Sequence, residues 1–296
     1  MSLTAAIRGM AVAALLTAGA VCGHAAEAPV GMVDEPCPTT LVPPAALVEQ
    51  IRALLLEPHV VTPAELKTFQ NDPHLKAFNE ASFAHARQDW ANLCRYREDN
   101  ARVVASRTAP RAVFMGDSIT EFWGTADAAF FGEKLINRGI SGQTSSQMLV
   151  RFQADVIALR PKLVHILAGT NDVAGNGGPT SPADFKNNIR AMVEMAKANQ
   201  VAVIIGSIPP AATFNWQPRI KPVPTIQALN VWLRDYATQQ GVGFIDYYAA
   251  LAGRAGELEA DLGNDGVHPN RNGYRIMRRL VEEKLNAAAS GNQRID

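Results

Sequence analysis

The chain has 296 residues, 47% of them hydrophobic, with Lys+Arg and Asp+Glu both at 28. This length holds one large α/β domain or two small ones around a packed core. The even charge leaves no basic footprint for nucleic acid or an anionic membrane surface. No His/Cys/Asp/Glu set has metal-ligand spacing, and no Gly-x-Gly-x-x-Gly fingerprint occurs, so neither a metal nor a nucleotide cofactor is expected.

At the N-terminus, Arg8 precedes a small, apolar run from Met10 to Val21, closed by Cys22-Gly-His-Ala-Ala26. This pattern predicts a secretory signal over 1–26, cleaved near Ala25 or Ala26. The run is too short to span a bilayer, so a periplasmic or secreted protein without stable membrane insertion is expected. Val21 is bulkier than the residue a lipoprotein signal usually carries before its cysteine. Cleavage leaves Cys37 and Cys94, a candidate disulfide in an exported protein, with two buried thiols as the alternative.

Glu27 to Pro44 is rich in Pro, Ala and Thr and reads as extended. From Ala45 to Val104 the pattern is helical. Leu47, Ile51, Leu54 and Leu55 share one face, and Leu66, Phe69, Leu75, Phe78, Phe83, Trp90, Leu93 and Tyr96 recur at helix-like intervals. A mostly helical extension over 27–108 is therefore predicted to pack against a main domain over 109–290.

In that domain apolar runs alternate with amphipathic segments. Strands are predicted at Ala112–Met115, Lys134–Asn137, Lys162–Ala168, Val201–Ser207 and Val242–Asp246. Helices are predicted at Ser145–Leu159, Pro182–Asn199, Ile226–Gln240 and Arg271–Ala288, with a further one starting after Ser118. The alternation implies a parallel sheet covered on both faces.

Four loop positions carry chemistry. Gly116-Asp117-Ser118 closes the first strand and puts a hydroxyl beside a helix N-terminus, at the edge where open α/β sheets bind ligands. Ser141-Gly142-Gln143-Thr144 follows the second strand, where Gly142 can present a bare backbone N–H. Gly169-Thr-Asn171-Asp172 follows the third, where Asn171 either donates into the cleft or caps a turn. Asp265-Gly-Val-His268 precedes the last helix. There Asp265 can hold one imidazole nitrogen while the other faces outward as a base, or the segment is only an Asx-turn. His165 lies inside an apolar strand and reads as a core residue.

In this order and on this frame, the four blocks resemble the SGNH (GDSL-type) hydrolase superfamily over roughly Ala112 to Leu285. Ile136 to Asn176 looks most like the branch of platelet-activating-factor acetylhydrolase catalytic subunits and bacterial exported esterases. The resemblance implies a three-layer α/β/α sandwich with a five-stranded, flavodoxin-like parallel sheet. It also implies Ser118 as nucleophile, His268 as general base and Asp265 as its orienter. The Ser118 and Gly142 N–H groups and the Asn171 amide would form the oxyanion hole. Asp117, Trp216 and Arg219 are read as substrate-binding, the last two from the segment Pro209–Arg219 overhanging the cleft.

The expected reaction is hydrolysis of a carboxylic ester through an acyl-enzyme. With no long hydrophobic lid in the sequence, the expected substrate carries a small acyl group, as an O-acetylated sugar or a short-chain or lysophospholipid ester. An O-acetyltransferase acting on cell-envelope glycans and a non-catalytic envelope-binding protein on the same fold remain the alternatives.

Overall fold

The computed structural model describes residues 31–37, 41–59 and 61–289. The expected signal segment lies outside the described residues. Two compact units divide the chain, Met1–Pro38 and Thr39–Asp296. Residues 31–37 of the first carry no helix or strand. In the second, no helix among the described residues is long and apolar enough to cross a membrane.

The second unit opens with α1 (Ala45–Ile51), which continues as one π-helical turn over Arg52–Leu56, followed by α2 (Pro63–Gln70), α3 (Pro73–Ala86) and α4 (Arg97–Ala105). Local chemistry fixes the middle pair: Thr62 and Glu65 form a capping box on α2, Asp72 caps α3, and a proline occupies the first turn of each. Trp90 to Tyr96, expected to continue the helical pattern, forms turns instead. The Asp89 carboxylate accepts the N–H groups of Leu93 and Cys94, both at 2.8 Å, and Asn92 takes a left-handed φ of 56°. Side-chain capping of the backbone outcompetes helix there.

The sheet comprises β1 (Ala112–Gly116), β2 (Leu135–Gly139), β3 (Leu163–Leu167), β4 (Ala202–Gly206) and β5 (Gly243–Ile245), all parallel in the order β2-β1-β3-β4-β5. This is the flavodoxin-like arrangement, with its topological switch point between β1 and β3. Between the strands lie α5 (Ser118–Ala126), α6 (Ser145–Asp155), α7 (Thr170–Ala174), α8 (Pro182–Ala198) and α9 (Pro222–Gln240), and after β5 come α10 (Tyr247–Leu251) and α11 (Arg271–Ala289). α7 and α10, each five residues long, were too short to show as periodicity. α6 stops at Asp155, four residues before its expected end, and α9 starts at Pro222, four before its expected start, because proline fits a first turn.

β1 shows why the strands sit where they do. All five of its residues are buried, and alternate side chains enter opposite layers. Val113 and Met115 pack with Met148, Phe152, Ile189 and Leu229 of α6, α8 and α9. Ala112 and Phe114 pack with Ile119, Trp123, Met277 and Val281 of α5 and α11. Phe114 meets Trp123, Phe130 and Phe131 edge-on at 5.2 to 5.8 Å. Each such pair adds about 0.5–1.5 kcal/mol beyond area burial. Gly116 ends the strand because a Cβ there would lie 2.0 Å from the Thr120 hydroxyl, so the chain can turn tightly into α5.

Candidate active site

Four loops meet at the carboxyl edge of the sheet around the β1/β3 switch point. Ser118 is the first residue of α5, whose N-cap is Asp117. Its hydroxyl lies 2.9 Å from His268 Nε2, and His268 Nδ1 lies 2.7 Å from Asp265 Oδ2. The other Asp265 oxygen accepts the N–H groups of Val267 and His268, at 2.9 and 2.8 Å. The Asx-turn and the imidazole holder, rival readings of this segment, are thus the same residue using two oxygens. Asn270 then starts α11 by accepting the N–H groups of Asn272 and Gly273.

The charges agree with the geometry. Burial would lower the His268 pKa, but the charge and hydrogen bond of Asp265, with the charge of Asp117, outweigh it and raise the value above 6.5. Asp265, which burial would raise, is held below its ordinary value by His268 and two backbone N–H groups. Asp117, 1% exposed, is pushed up to about 6 by burial, against the opposing effects of the Ile119 N–H and His268. His165 is buried 3.1 Å from the Tyr247 hydroxyl, and burial lowers its pKa to about 3, so it stays neutral in the core.

Gly142 has φ +79°, a left-handed conformation that glycine adopts without strain. Its neighbour Ser141 is fixed by Glu121, whose carboxylate accepts the Ser141 N–H at 2.8 Å and hydroxyl at 2.6 Å. Arg95 pairs with the same carboxylate at 3.2 Å. Gln143 and Gln147 donate to the Ala91 and Trp90 carbonyls at 2.8 and 2.9 Å. The turns over 90–96 therefore clamp the loop that presents Gly142.

Asn171 differs in detail from its expected role. Its amide nitrogen donates to Asp117 Oδ2 at 3.2 Å and to the Gln143 carbonyl at 3.1 Å, so both hydrogens already have acceptors. A further acceptor at this amide must share one of these two long bonds. The Asn171 oxygen is bonded in turn by Asn176, whose own oxygen accepts from Trp216 Nε1 at 2.8 Å. Trp216 stands on the cleft wall, whereas Arg219 is exposed and outside that wall. Asp117 lies buried beneath the nucleophile, bonded to Ile119 and Asn171.

Two buried groups that support these loops were missed in the sequence. Arg151, 0% exposed, donates to Gln143 Oε1 at 2.6 Å, Asp155 at 2.9 Å, and the Gly116 and Arg138 carbonyls at 3.0 and 2.8 Å. One guanidinium thus ties the ends of β1 and β2 to the Gly142 loop. Asp172 accepts the N–H and hydroxyl of Ser145, at 2.9 and 2.5 Å, joining α6 to α7. A signal for Arg151 existed: with Asp155 it falls on the same helical face as Met148 and Phe152, where a charge must be buried and paired.

A serine hydroxyl, an imidazole and a carboxylate in hydrogen-bond sequence thus lie at the carboxyl edge of a parallel α/β/α sheet, an arrangement suited to nucleophilic acyl transfer. The chain belongs to the GDSL-like Lipase/Acylhydrolase family, whose profile matches residues 114–276. A GDSL-like lipase of Bacteroides thetaiotaomicron VPI-5482 is similar at 43% identity and a TM-score of 0.63, covering 67% of this chain and 98% of that one. The esterase TesA of Pseudomonas aeruginosa is 30% identical over 139 residues, 46% of this chain and 61% of TesA. The uncharacterized lipoprotein YqeF of Bacillus subtilis is 35% identical over 74 residues, 24% of this chain and 30% of YqeF. The chain thus spans less than two thirds of the length of these last two relatives.

Proposed function

We propose that this chain is an exported serine esterase that cleaves carboxylic esters through an acyl-enzyme on Ser118. The observation that carries the reading is the relay Ser118–His268–Asp265 at 2.9 and 2.7 Å. A serine hydroxyl is a poor nucleophile at neutral pH and needs a base within hydrogen-bond reach. As the Ser118 oxygen attacks the ester carbon, His268 Nε2 takes its proton, and Asp265 stabilises the imidazolium. The carbonyl oxygen becomes negative beside the Ser118 and Gly142 N–H groups and the Asn171 amide, which shares a hydrogen with it. His268 then returns the proton to the leaving alcohol, and water repeats the sequence on the acyl-serine.

The acyl group we propose is small, acetyl first, on an O-acetylated sugar or a short-chain ester. Likeness to an esterase and a GDSL-like lipase supports ester chemistry, and the signal-like start over 1–26 supports export. The test is hydrolysis of p-nitrophenyl acetate and acetylated glycans by purified protein, with rapid mixing to detect the acyl-enzyme. A p-nitrophenol burst approaching one equivalent is expected, as is a mature N-terminus near Glu27 after expression in a secreting host. Absence of ester hydrolysis across these substrates would overturn the reading.

A further inference from the structure

The cleft that holds Ser118 and His268 continues well past them. Its volume is about 1210 Å³, and it extends along α1, α2 and α3. Ile51 of α1, Phe69 of α2 and Phe78 of α3 line this extension, and Phe122 of α5, 5.2 Å from the His268 ring, lines it beside the catalytic pair. Leucine, isoleucine and phenylalanine predominate along the three helices.

α2 and α3 bury none of their side chains. Their ends are secured by polar groups instead: the Thr62 capping box, the Asp72 cap and a Gln50–Asp72 hydrogen bond of 3.1 Å. Phe69 and Phe78 are only half-buried, and Phe83 is 76% exposed on the same cleft. An amphipathic helix ordinarily buries its apolar stripe against a core. Here the stripe lines an open cleft continuous with the nucleophile, and contiguous apolar surface of this kind marks a binding site.

We propose that the groove along α1–α3 binds the apolar portion of the ester, an alkyl chain or aryl ring whose reacting carbonyl sits at Ser118. The inference rests on the esterase reading and names its substrate class. The relay fixes where the carbonyl goes, and the groove is the apolar surface continuous with it. Full burial of one methylene favours binding by roughly three- to fourfold, so a chain that enters the groove should show a graded gain.

The test measures kcat/KM for two series, p-nitrophenyl esters from acetate to decanoate and alkyl acetates from methyl to octyl. It uses wild-type protein, Phe78→Asp and Phe83→Asp. Phe78 and Phe83 are not fully buried, so both variants should fold; their melting curves check this, and either one suffices as the reporter. One series should rise by about tenfold or more between its short and eight-carbon members, and the variants should lower that long-to-short ratio at least fivefold. Both rises support the groove: one in the second series puts the chain on the alcohol side, in keeping with a small acyl group, and one in the first puts it on the acyl side and overturns the small-acyl assignment. Flat series in an active enzyme, or an unchanged ratio in a folded variant, overturn it. So does a dimer dispersed by Phe78→Asp in sedimentation alongside flat series, since the groove would then hold a second copy of the chain.

Calorimetry of decanoate binding separates this inference from the esterase reading. A wild type inactive on every ester that still binds decanoate, with binding lost in Phe78→Asp, would sink the esterase reading and support the groove. An active enzyme that binds no decanoate and shows flat series would sink the groove alone.

Discussion

The sheet core and the N-terminal helices draw on the same apolar residue types and use them in opposite ways. β1 buries all five of its residues between two helical layers, whereas α2 and α3 bury none of their side chains. Every hydrogen bond of the relay joins residues that follow β1 or precede α11. The helices reach the chemistry indirectly, through the turns over 90–96 that hold the Gly142 loop, and directly only as cleft wall. On the reading proposed above, reaction belongs to the core and recognition to the extension, because precise geometry needs close packing and binding an apolar group needs uncovered surface.

Ser118→Ala should produce the largest effect. Removing the attacking oxygen should lower kcat by about 10⁴-fold or more, while the melting temperature stays close to wild type. Substantial activity in a folded, pure variant would move the chemistry elsewhere.

Phe114→Ala and Phe83→Ser test the packing contrast itself. The first opens a cavity among Trp123, Phe130 and Phe131 and should cost about 3–5 kcal/mol in urea unfolding. The second, at a position 76% exposed, should stay within about 0.5 kcal/mol of wild type. Equal losses would mean that α3 is packed as tightly as the sheet.

Asn171→Ala comes next, with kcat expected to fall by about 10²–10³ and KM to change less. An earlier melt with near-normal kcat would mean that the bonds to Asp117 and Gln143 are the residue's whole purpose.

For the cysteines of the mature chain, we propose that Cys37 and Cys94 are joined to each other. A peptide map without reductant should link their segments, and loss of the bridge should cost up to about 4 kcal/mol in the chain-entropy model. Two thiols reacting with maleimide in the denatured, unreduced protein would contradict the pairing.

The smallest effect is a shift in pH. His268 must be neutral to accept the Ser118 proton, and its pKa is raised above 6.5. Activity should therefore fall as pH drops through a midpoint above 6.5, not below it. Because Asp117 contributes to that rise, Asp117→Asn should move the midpoint of kcat/KM to lower pH. The same raised pKa adds stability that is fully present below the unfolded value and is lost as pH climbs through the folded one. A midpoint below 6.5 would contradict this electrostatic account.

The relay was legible in the sequence because each of its motifs is short and sits at the end of an apolar run or just ahead of a helix. Gly116-Asp117-Ser118 and Asp265-x-x-His268 needed only the frame to bring them together. Arg151 was passed over because a charge in an amphipathic helix is ordinarily read as a solvated one, although its spacing from Met148 and Phe152 placed it inward. Glu121 and the 90–96 turns were invisible for another reason. Their partners Ser141, Gln143 and Gln147 lie tens of residues away, and no local pattern encodes such pairs. The stripe Leu66, Phe69, Leu75 and Phe78 was correctly periodic, but periodicity does not tell a face that meets a core from one that lines a cleft.

The most direct test of the central claim is covalent labelling with a fluorophosphonate, followed by peptide mass spectrometry. An activated Ser118 should take one equivalent of the phosphonyl group on the peptide that contains it. Ser118→Ala should take none, and His268→Ala should label far more slowly. An unlabelled wild type, or an adduct on any other residue, would contradict the account.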